Sequence, residues 1–244
     1  MVNISTILVI FFIATSMSLS QIPFEQDTIQ TQQGSLIITF IGHGTLMLNF
    51  HNLVIHVDPV SRYADYTTLP KADLILVTHH HGDHLDPAVI KQLTQTNTQV
   101  ICSESCLQQL EDGIVMKNGE SKEVMGLIID AVPAYNLLHK RDSGETFHPK
   151  GMGNGYIITA GDKKIYIAGD TENIPEMLAL TGIDIAFLPM NLPYTMTPEM
   201  VANAVKTFKP KILYPYHYGD TDVNQLLRLL KDFLDTAVRI RKMQ

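Results

Sequence analysis

The alternation of apolar and polar residues divides the chain into a strand-rich beginning and a longer part in which strands alternate with helices. Three runs rich in β-branched residues, separated by HG and HN turns, predict an antiparallel meander: 36–42, 45–50 and 53–59. The continuous apolar run 72–79 is typical of a strand buried on both faces. A helix is predicted to follow at 86–95, with Asp86 as its N-cap and Pro87 in the first helical position.

The alternation continues to the end of the chain. Strands are predicted at 98–103, 122–134, 184–190 and 211–217, with a hairpin at 155–170. Helices are predicted at 103–112, 171–180, 197–208 and 222–235, the third with Thr197 as N-cap and the last with an apolar stripe of Leu226, Leu227, Leu229, Leu230 and Phe233. A polar loop at 136–154 is long enough to be functional or disordered. Residues 21–244 are therefore predicted to form one domain of layered sheets flanked by helices.

Residues 1–20 differ from the rest of the chain. The apolar run 7–20 ends in small residues, with Ser18 and Ser20 placed as in a cleavage site before Gln21. We interpret this segment as a cleaved export signal, which makes the mature protein periplasmic or secreted. An uncleaved membrane anchor is the alternative, although the run is short for a membrane span.

Composition excludes some partners. Hydrophobic residues make up 45% of the chain, which is an ordinary proportion for a globular protein. The net charge is −7, so nucleic acid is not an expected partner. The membrane is an expected partner only if residues 1–20 remain as an anchor. Cys102 and Cys106 have no second pair that would complete a zinc knuckle, and we expect them to be packing residues at the start of a helix.

The stretch 77–87, VTHHHGDHLDP, places four histidines and two aspartates in eight positions. It follows a buried strand and precedes a helix, which is where α/β proteins place their sites. His79 and His81 can point in the same direction, and Asp83 and His84 can reach a neighbouring position from the turn. Four ligands in one loop exceed the need of one zinc ion and suit half of a two-metal site.

The motif THHHGDH matches the H-x-H-x-D-H pattern of the metallo-β-lactamase-fold hydrolases. The chain resembles this family, and especially its lactonase-like and phospholipase-D-like bacterial members, over nearly all of residues 36–220. Two later pieces agree in order, since IYIAGDT supplies Asp170 and YPYHYGD supplies His217 at the ends of predicted strands. The resemblance implies an α/β (α+β) fold built as a four-layer αββα sandwich.

The resemblance also implies two divalent metal ions, for which zinc is favoured although ligand type leaves Mn, Fe and Ni open. Matching gives the following ligands: His79 and His81 for one ion, Asp83, His84 and His217 for the other, and Asp170 between both. A bridging hydroxide would be the nucleophile, because a metal ion lowers the pKa of bound water to about 7. Asp83 and His84 are also predicted to be catalytic.

One further ligand, a histidine after the long loop, is less directly matched. Members of the lactonase-like group have a histidine right after a P-A-x strand end, where this chain has Asn136 in VPAYN. Two candidates remain, His148 and His139. We favour His148 because it precedes a strand, lies 22 residues before Asp170 and belongs to an FHPK stretch that resembles other bacterial members.

The other histidines have simpler interpretations. We expect His51, His56 and His80 to be hydrogen-bonded surface or core residues, and His80 alternates to the face opposite His79 and His81.

Four residues near the motifs are expected to support the site or face the substrate. His43 in IGHGT lies between two glycines, and a pocket role and a structural role are both open; similar GH turns line the pocket in relatives. Asp58 is expected to brace the metal loop through hydrogen bonds. Tyr194 and Tyr218 flank ligand-bearing strand ends and are candidates to face substrate. The predicted substrate-binding residues are His43 and Tyr194.

The ligand set favours hydrolysis of an ester-like bond in a small molecule, such as an ester, lactone or phosphodiester. A secreted β-lactamase or a thioesterase of the same fold is one alternative; the known secreted β-lactamases often replace the last histidine of the motif, whereas His84 is present here. A non-catalytic metal-binding protein is the alternative of another class. The physiological substrate is not readable from these residues, because one fold hosts many reactions.

Overall fold

The computed structural model describes residues 24–110 and 112–243, which form two seven-stranded sheets with helices on their outer faces. The predicted export signal, residues 1–20, lies outside the described residues. Among the residues that are described, every helix is too short or too polar to cross a membrane.

The strands of the first sheet lie side by side in sequence order. They are β1 Glu25–Thr31, β2 Gly34–Gly42, β3 Thr45–Phe50, β4 Leu53–Val57, β5 Leu74–Val77, β6 Gln99–Cys102 and β7 Ile114–Val115. The first four strands pair antiparallel, as the predicted meander requires, and β4 to β7 pair parallel. Parallel strands need crossovers, and the β5–β6 crossover contains helix α1, Pro87–Leu93.

The second sheet repeats this order of antiparallel strands followed by parallel ones. Its strands are β8 Ser121–Val124, β9 Leu127–Ala134, β10 Gly153–Ala160, β11 Lys163–Ile167, β12 Ile185–Pro189, β13 Ile212–Tyr216 and β14 Ala237–Val238. Its helices are α2 Pro175–Leu178, α3 Pro198–Phe208 and α4 Val223–Leu230. Strands β11 to β14 are parallel, so their carboxyl ends meet at one edge of the sheet.

The main core lies between the two sheets. Phe40 of the first sheet packs against two stacked rings of the second, with its centroid 5.0 Å from that of Tyr214 and 6.3 Å from that of Phe187. Strand β5 is buried on both faces, because Leu74 and Leu76 belong to this core while Ile75 and Val77 belong to a second one beneath α1. The order of layers is helix, sheet, sheet, helix, which confirms the four-layer sandwich.

Two predicted helix starts are confirmed by their caps. The Asp86 carboxylate accepts hydrogen bonds from the backbone N–H groups of Ala88 and Val89, and Pro87 opens α1. The Thr197 hydroxyl accepts a hydrogen bond from the N–H of Met200 at the start of α3. These side chains satisfy N–H groups that the first turn of a helix leaves without partners.

Other predicted elements differ in extent. The helix predicted at 103–112 is only a 3-10 helix, Glu104–Gln108, and that at 171–180 is the single turn α2. The strand predicted at 122–134 is a hairpin, because Met125 and Gly126 turn the chain with φ of 53° and 80° between β8 and β9. No strand was predicted before residue 36, but the polar residues Glu25–Thr31 form strand β1, which lies at the sheet edge, where exposed and half-exposed positions do not need apolar side chains.

The apolar stripe of the last helix is narrower than predicted. Leu226 and Leu230 are buried and Leu229 and Phe233 pack against the core from partly buried positions, whereas Leu227 is exposed; α4 packs against α3. Cys102 and Cys106 are fully buried, the former at the end of β6 and the latter in the 3-10 helix, as expected of packing residues.

Candidate metal centre

The histidine-rich loop lies directly after β5, at the edge where the carboxyl ends of the parallel strands meet. The loop folds into a tight turn, because the backbone N–H groups of His84 and Leu85 both donate to the carbonyl oxygen of His81. The Asp86 cap then starts α1. The turn keeps the side chains of four successive ligand candidates within one short segment: His79, His81, Asp83 and His84.

Three of the predicted ligand histidines converge in a first group. His81 Nδ1 lies 3.1 Å from His79 Nε2 and 3.2 Å from His148 Nε2. Asp170 Oδ2 lies 3.2 Å from His148 Nε2 and 3.9 Å from His79 Nε2. These spacings are those of ligand atoms around one ion, since metal–nitrogen bonds of about 2.0–2.1 Å separate neighbouring donors by roughly 3–3.5 Å.

A second group lies on the other side of Asp170. Its Oδ1 atom is 3.3 Å from His84 Nε2 and 3.4 Å from His217 Nε2. The Oδ2 atom of Asp83 lies 3.6 Å from His217 Nε2 and 3.2 Å from His43 Nε2. The ligand atoms of His43, Asp83, His84 and His217 all fall within 4.8 Å of one another.

The buried polar atoms at the centre of the cluster fit divalent cations. In the part of the chain that the structure describes, His84 Nε2, His217 Nε2 and Asp170 Oδ1 are buried without a hydrogen-bond partner. Burying a polar atom without a partner costs about 1–3 kcal/mol, so three such atoms facing one another need a common partner. A cation satisfies all three, because each can offer a lone pair.

Buried acceptors orient two of the imidazoles. His84 donates a hydrogen bond of 2.7 Å from Nδ1 to Asp58 Oδ2, and His148 donates one of 2.6 Å from Nδ1 to Asn136 Oδ1. A donor at Nδ1 leaves Nε2 as a lone pair facing the cluster, which is the tautomer that a metal ligand needs. The bracing role expected of Asp58 therefore has its contacts in the structure, and the same carboxylate also accepts from Thr78.

His43 and His217 lie in the left-handed backbone region, with φ of 54° and 47°. The two segments meet, because the N–H of His217 donates to the carbonyl oxygen of His43 at 2.9 Å and their ring centroids are 3.7 Å apart. Positive φ is rare for residues with a side chain and is maintained here by the surrounding contacts. Gly44, the next residue after His43, allows the His84 ring to pack close to the backbone, since a Cβ atom at Gly44 would lie 2.7 Å from His84 Cε1.

Both carboxylates of the cluster are held in the ionised form. Burial opposes the charge of Asp170, but His217 and His84 bring the pKa of its carboxyl well below the ordinary value. Burial likewise opposes the charge of Asp83, and the neighbouring His217 ring together with the hydrogen bond from His43 lowers the pKa of that carboxyl below its usual range. The cluster therefore presents negative charge to a cation at neutral pH.

The imidazoles divide into two kinds. Burial, reinforced by His148, lowers the pKa of His81 to about 4, so its ring is neutral at pH 7. Burial also acts to lower the pKa of His84, but the carboxylates of Asp170 and Asp58 reverse this and raise it well above the ordinary value. A cation that binds at His84 must therefore displace a proton, which couples metal binding to pH.

The structure brings together every predicted ligand, and it separates the two candidates for the further histidine ligand after the long loop. His148 lies in the first group, whereas His139 Nδ1 is 2.9 Å from Glu172 Oε1 and is absent from the clusters found among the described residues. His43, predicted to bind substrate, lies against Asp83 and stacks on Tyr63.

The remaining candidates occupy different surroundings. Tyr194 is 45% exposed beside the site, whereas Tyr218 is buried and donates its hydroxyl to the Arg241 carbonyl oxygen, so the suggestion that Tyr218 faces substrate is wrong. His56 is buried, with Nε2 bonded to the Pro70 carbonyl oxygen, and His51 is an exposed turn residue. His80 is half-buried, and its ring stands edge-on to that of His79.

Two supporting residues were not found from the sequence. Glu172 is fully buried and accepts hydrogen bonds from the backbone N–H groups of Leu137, Leu138 and His139, so it holds the start of the loop that carries His148. Asn136 was noticed only as a missing histidine. Glu172 stands in the polar stretch GDTENI, where a carboxylate gives no separate signal of burial.

Two mixed sheets with a buried His/Asp cluster at the strand ends define a metal-dependent hydrolase of the metallo-β-lactamase fold. A family model described as the beta-lactamase superfamily domain matches residues 37–217, and the chain belongs to this superfamily. The resemblance inferred from the motifs is thereby confirmed.

Relatives and solved structures agree with this assignment. The chain is 31% identical over 193 residues to a UPF0173 metal-dependent hydrolase from Methanopyrus kandleri, covering 75% of this chain and 84% of that protein. The crystal structure of a candidate metal-dependent hydrolase from Parabacteroides distasonis matches with a TM-score of 0.86 and 52% identity, over 91% of this chain and 100% of that chain. Igni18, a metallo hydrolase from Ignicoccus hospitalis, matches with a TM-score of 0.69 and 26% identity, over 85% and 95%.

Proposed function

We propose that this metal-dependent hydrolase uses two divalent ions to cleave an ester-like bond in a small molecule. The proposed ligands are His79, His81 and His148 for one ion, Asp83, His84 and His217 for the other, and Asp170 for both. The position of Asp170 carries this proposal: Oδ2 lies 3.2 Å from His148 Nε2, and Oδ1 lies 3.3 Å from His84 Nε2. One carboxylate therefore faces two separate ligand groups with its two oxygens.

Zinc is the proposed metal, because imidazole-rich donor sets with one or two carboxylates suit this ion. Bound divalent ions would polarise the scissile group and lower the pKa of a water molecule held between them to about 7. The ionised carboxylates of Asp83 and Asp170 would offset the mutual repulsion of the two charges.

The cluster is exposed to solvent on one side. Asp170 and His217 are almost completely buried, whereas the side chain of Asp83 is 35% exposed. A substrate can therefore approach at Asp83 and His81, which are both half-buried. Asp58 and Asn136 hold the deep imidazoles in place from behind, so bulk water reaches the cluster from the open side.

The proposal is tested by metal analysis and turnover on the same protein. We expect about two ions per chain after zinc reconstitution, and zinc-dependent hydrolysis of at least one compound in a panel of p-nitrophenyl esters, lactones, thioesters, β-lactams and p-nitrophenyl phosphodiesters. The Asp170→Asn variant should lose its affinity for both ions, and its turnover should be lost with them. Asp162→Asn, a substitution in the β10–β11 turn, is the matched control and should change neither.

A metal-loaded protein that is inert across the whole panel would support the non-catalytic alternative. A stoichiometry of one ion with full activity would instead refute the shared role of Asp170.

We also propose that the chain is exported through residues 1–20. The support is the apolar run 7–20 with Ser18 and Ser20 before Gln21. Determination of the N-terminal residue of the mature protein tests this: Gln21 is the expected result, and an intact Met1 on membrane-bound protein would favour the anchor.

A further inference from the structure

Ten large apolar side chains of the described chain are exposed to solvent. Half of them lie in two loops, 135–152 and 190–197, which follow the ligand-bearing sheet edge: Leu137, Leu138, Met152, Leu192 and Tyr194. Apolar side chains grouped on a surface mark binding sites more often than scattered ones do. The grouping therefore points to a ligand with an apolar part.

These side chains continue into the cluster itself. Phe147 and Met152 line a small cavity that is also lined by His81, His148 and Asp170. The ring of Tyr194 stands edge-on to that of Phe147, with 5.0 Å between the centroids. We call the surface formed by Phe147, Met152 and Tyr194 the apolar wall.

The apolar wall is held at a fixed position relative to the metal ligands. The Asn136 side-chain amide donates a hydrogen bond of 2.9 Å to the Tyr194 carbonyl oxygen, and its oxygen accepts from His148 Nδ1. The guanidinium of Arg141 lies 5.1 Å from the centroid of the Phe147 ring. One amide side chain thus connects the Tyr194 loop to a residue of the first ligand group.

The chemistry of the wall selects among substrates. Of its three side chains, Tyr194 alone has a hydrogen-bonding group of ordinary strength, and the Arg141 guanidinium beside Phe147 adds donors but no acceptor, so a sugar or a nucleotide placed there would lose most of its hydrogen bonds to water without replacement. An alkyl or aryl group placed there would bury apolar area on both sides.

We propose that the substrate carries an alkyl or aryl group next to the scissile bond, and that this group lies against Phe147, Met152 and Tyr194. This inference rests on the proposed hydrolase function, because it assumes that the scissile bond lies at the metal cluster. The apolar group of the substrate would then lie on the side of the wall. It extends that function to a substrate class: esters or phosphodiesters with an apolar substituent.

Binding of n-alkylphosphonates tests the inference without requiring turnover. The phosphonate anion suits the cations of the zinc-loaded full-length protein, and the alkyl chain probes the wall. Each fully buried methylene strengthens binding about fourfold, so partial burial of the seven extra methylenes should make octylphosphonate bind at least tenfold more tightly than methylphosphonate. Titration calorimetry measures both affinities.

Two variants locate the effect. Phe147→Ser and Tyr194→Ser should each reduce the octyl-to-methyl affinity ratio by at least threefold, a ratio in which any change common to both ligands cancels; Tyr194 is exposed, so its variant does not depend on repacking of the fold. Leu234→Ser removes an apolar side chain that is 91% exposed beyond α4 and should keep the full ratio.

The outcomes separate this inference from the proposed function. Equal affinities for the two phosphonates overturn the inference even when esters are hydrolysed. A chain-length dependence that the Phe147 and Tyr194 variants lose supports it even when no compound of the panel is turned over. A change from dimer to monomer in the Tyr194 variant, seen by sedimentation without any chain-length dependence, would assign the wall to contact between copies and overturn it.

Discussion

Asp58 and His84 form a hydrogen bond of 2.7 Å between Oδ2 and Nδ1, with both side chains fully withdrawn from solvent. The same carboxylate accepts hydrogen bonds from the backbone N–H and the hydroxyl of Thr78, the residue before His79. One side chain at the end of β4 therefore fixes two points of the metal loop. It also makes Nδ1 of His84 a donor, so that Nε2 faces Asp170.

Substitution of this carboxylate should weaken metal binding. Asp58→Asn keeps a residue that tolerates the observed φ of 45°, but it replaces one of two acceptor oxygens with a donor. At least one of the three donated hydrogen bonds is then lost, and we expect zinc affinity to fall about 10–100-fold. Competition with a chromogenic chelator measures this affinity.

Asp73→Asn is the matched control for this prediction. Asp73 directly precedes β5 and accepts a backbone hydrogen bond, from Val54 N–H at 2.8 Å, without a contact to the cluster. Equal zinc affinities of the Asp58 and Asp73 variants would show that the bracing contact has no part in metal binding.

Gly44 and Gly82 offer a second matched pair. A Cβ atom at Gly44 would meet His84 Cε1 at 2.7 Å, whereas one at Gly82 has nothing within 4 Å. We expect Gly44→Ala to push the His84 ring out of position and lower zinc affinity at least tenfold, and Gly82→Ala to change it less than threefold although it lies between two ligands. Zinc titration monitored by calorimetry measures the affinity of each variant.

The sequence predicted those parts of the fold that depend on local patterns. The meander of β2 to β4, the doubly buried β5 and the starts of α1 and α3 follow from β-branched runs and capping residues, which act within a few positions. Strand β1 was not predicted, and strands β8 and β9 were predicted as one strand without the turn between them. The conformation of β1 depends on pairing with β2, and the turn depends on positive φ at Met125 and Gly126, of which only the glycine gives a turn signal in the sequence.

The site was predictable as far as spaced motifs reach. The loop 79–84, Asp170 and His217 stand at strand ends in the order that the family motif requires, and the structure places them together. Asn136, Glu172 and Phe147 could not be assigned, because their contacts come from long-range packing of a loop that has no periodic pattern.

Glu172 should be needed for the order of that loop. Burial opposes its charge, and the backbone N–H of His139 together with other donors lowers the pKa of its carboxyl below the ordinary value. Glu172→Gln presents an amide NH₂ where two N–H groups now donate, so we expect a loss of about 2–4 kcal/mol in the free energy of unfolding. Amide hydrogen exchange at 137–139 should accelerate, and the zinc bound through His148 should weaken.

Glu176→Gln serves as the control for this loop. Its carboxylate pairs with the exposed Lys150 and accepts from the Tyr135 hydroxyl, so its loss should change stability by less than about 1 kcal/mol. Protection of residues 137–139 that survives in the Glu172 variant would contradict the role assigned to the buried carboxylate.

The choice between the two loop histidines can be decided by metal content. His148→Ala removes a ligand atom of the first group and should leave at most one tightly bound zinc ion per chain. His139→Ala removes a ring that contacts Glu172 and should retain both ions. Mass spectrometry of the native protein counts them, and loss of an ion from the His139 variant alone would reverse the assignment.

His56 should make stability depend on pH through a group remote from the metal ligands. Burial lowers the pKa of His56 from 6.5 to about 4, and the hydrogen bond to the Pro70 carbonyl oxygen offsets only part of this effect. Between these two values the unfolded chain binds a proton that the folded protein does not. The free energy of unfolding therefore falls as the pH drops through this window, by about 3 kcal/mol from this residue alone.

The His56→Gln variant tests this prediction, because glutamine can still donate to the Pro70 carbonyl oxygen and has no such proton. Urea unfolding with a chelator present should show the variant gaining about 2–3 kcal/mol in the free energy of unfolding relative to wild type between pH 7.5 and 4.5. His51→Gln, a change in an exposed turn, should run parallel to wild type, and a His56 variant that also runs parallel would contradict the prediction.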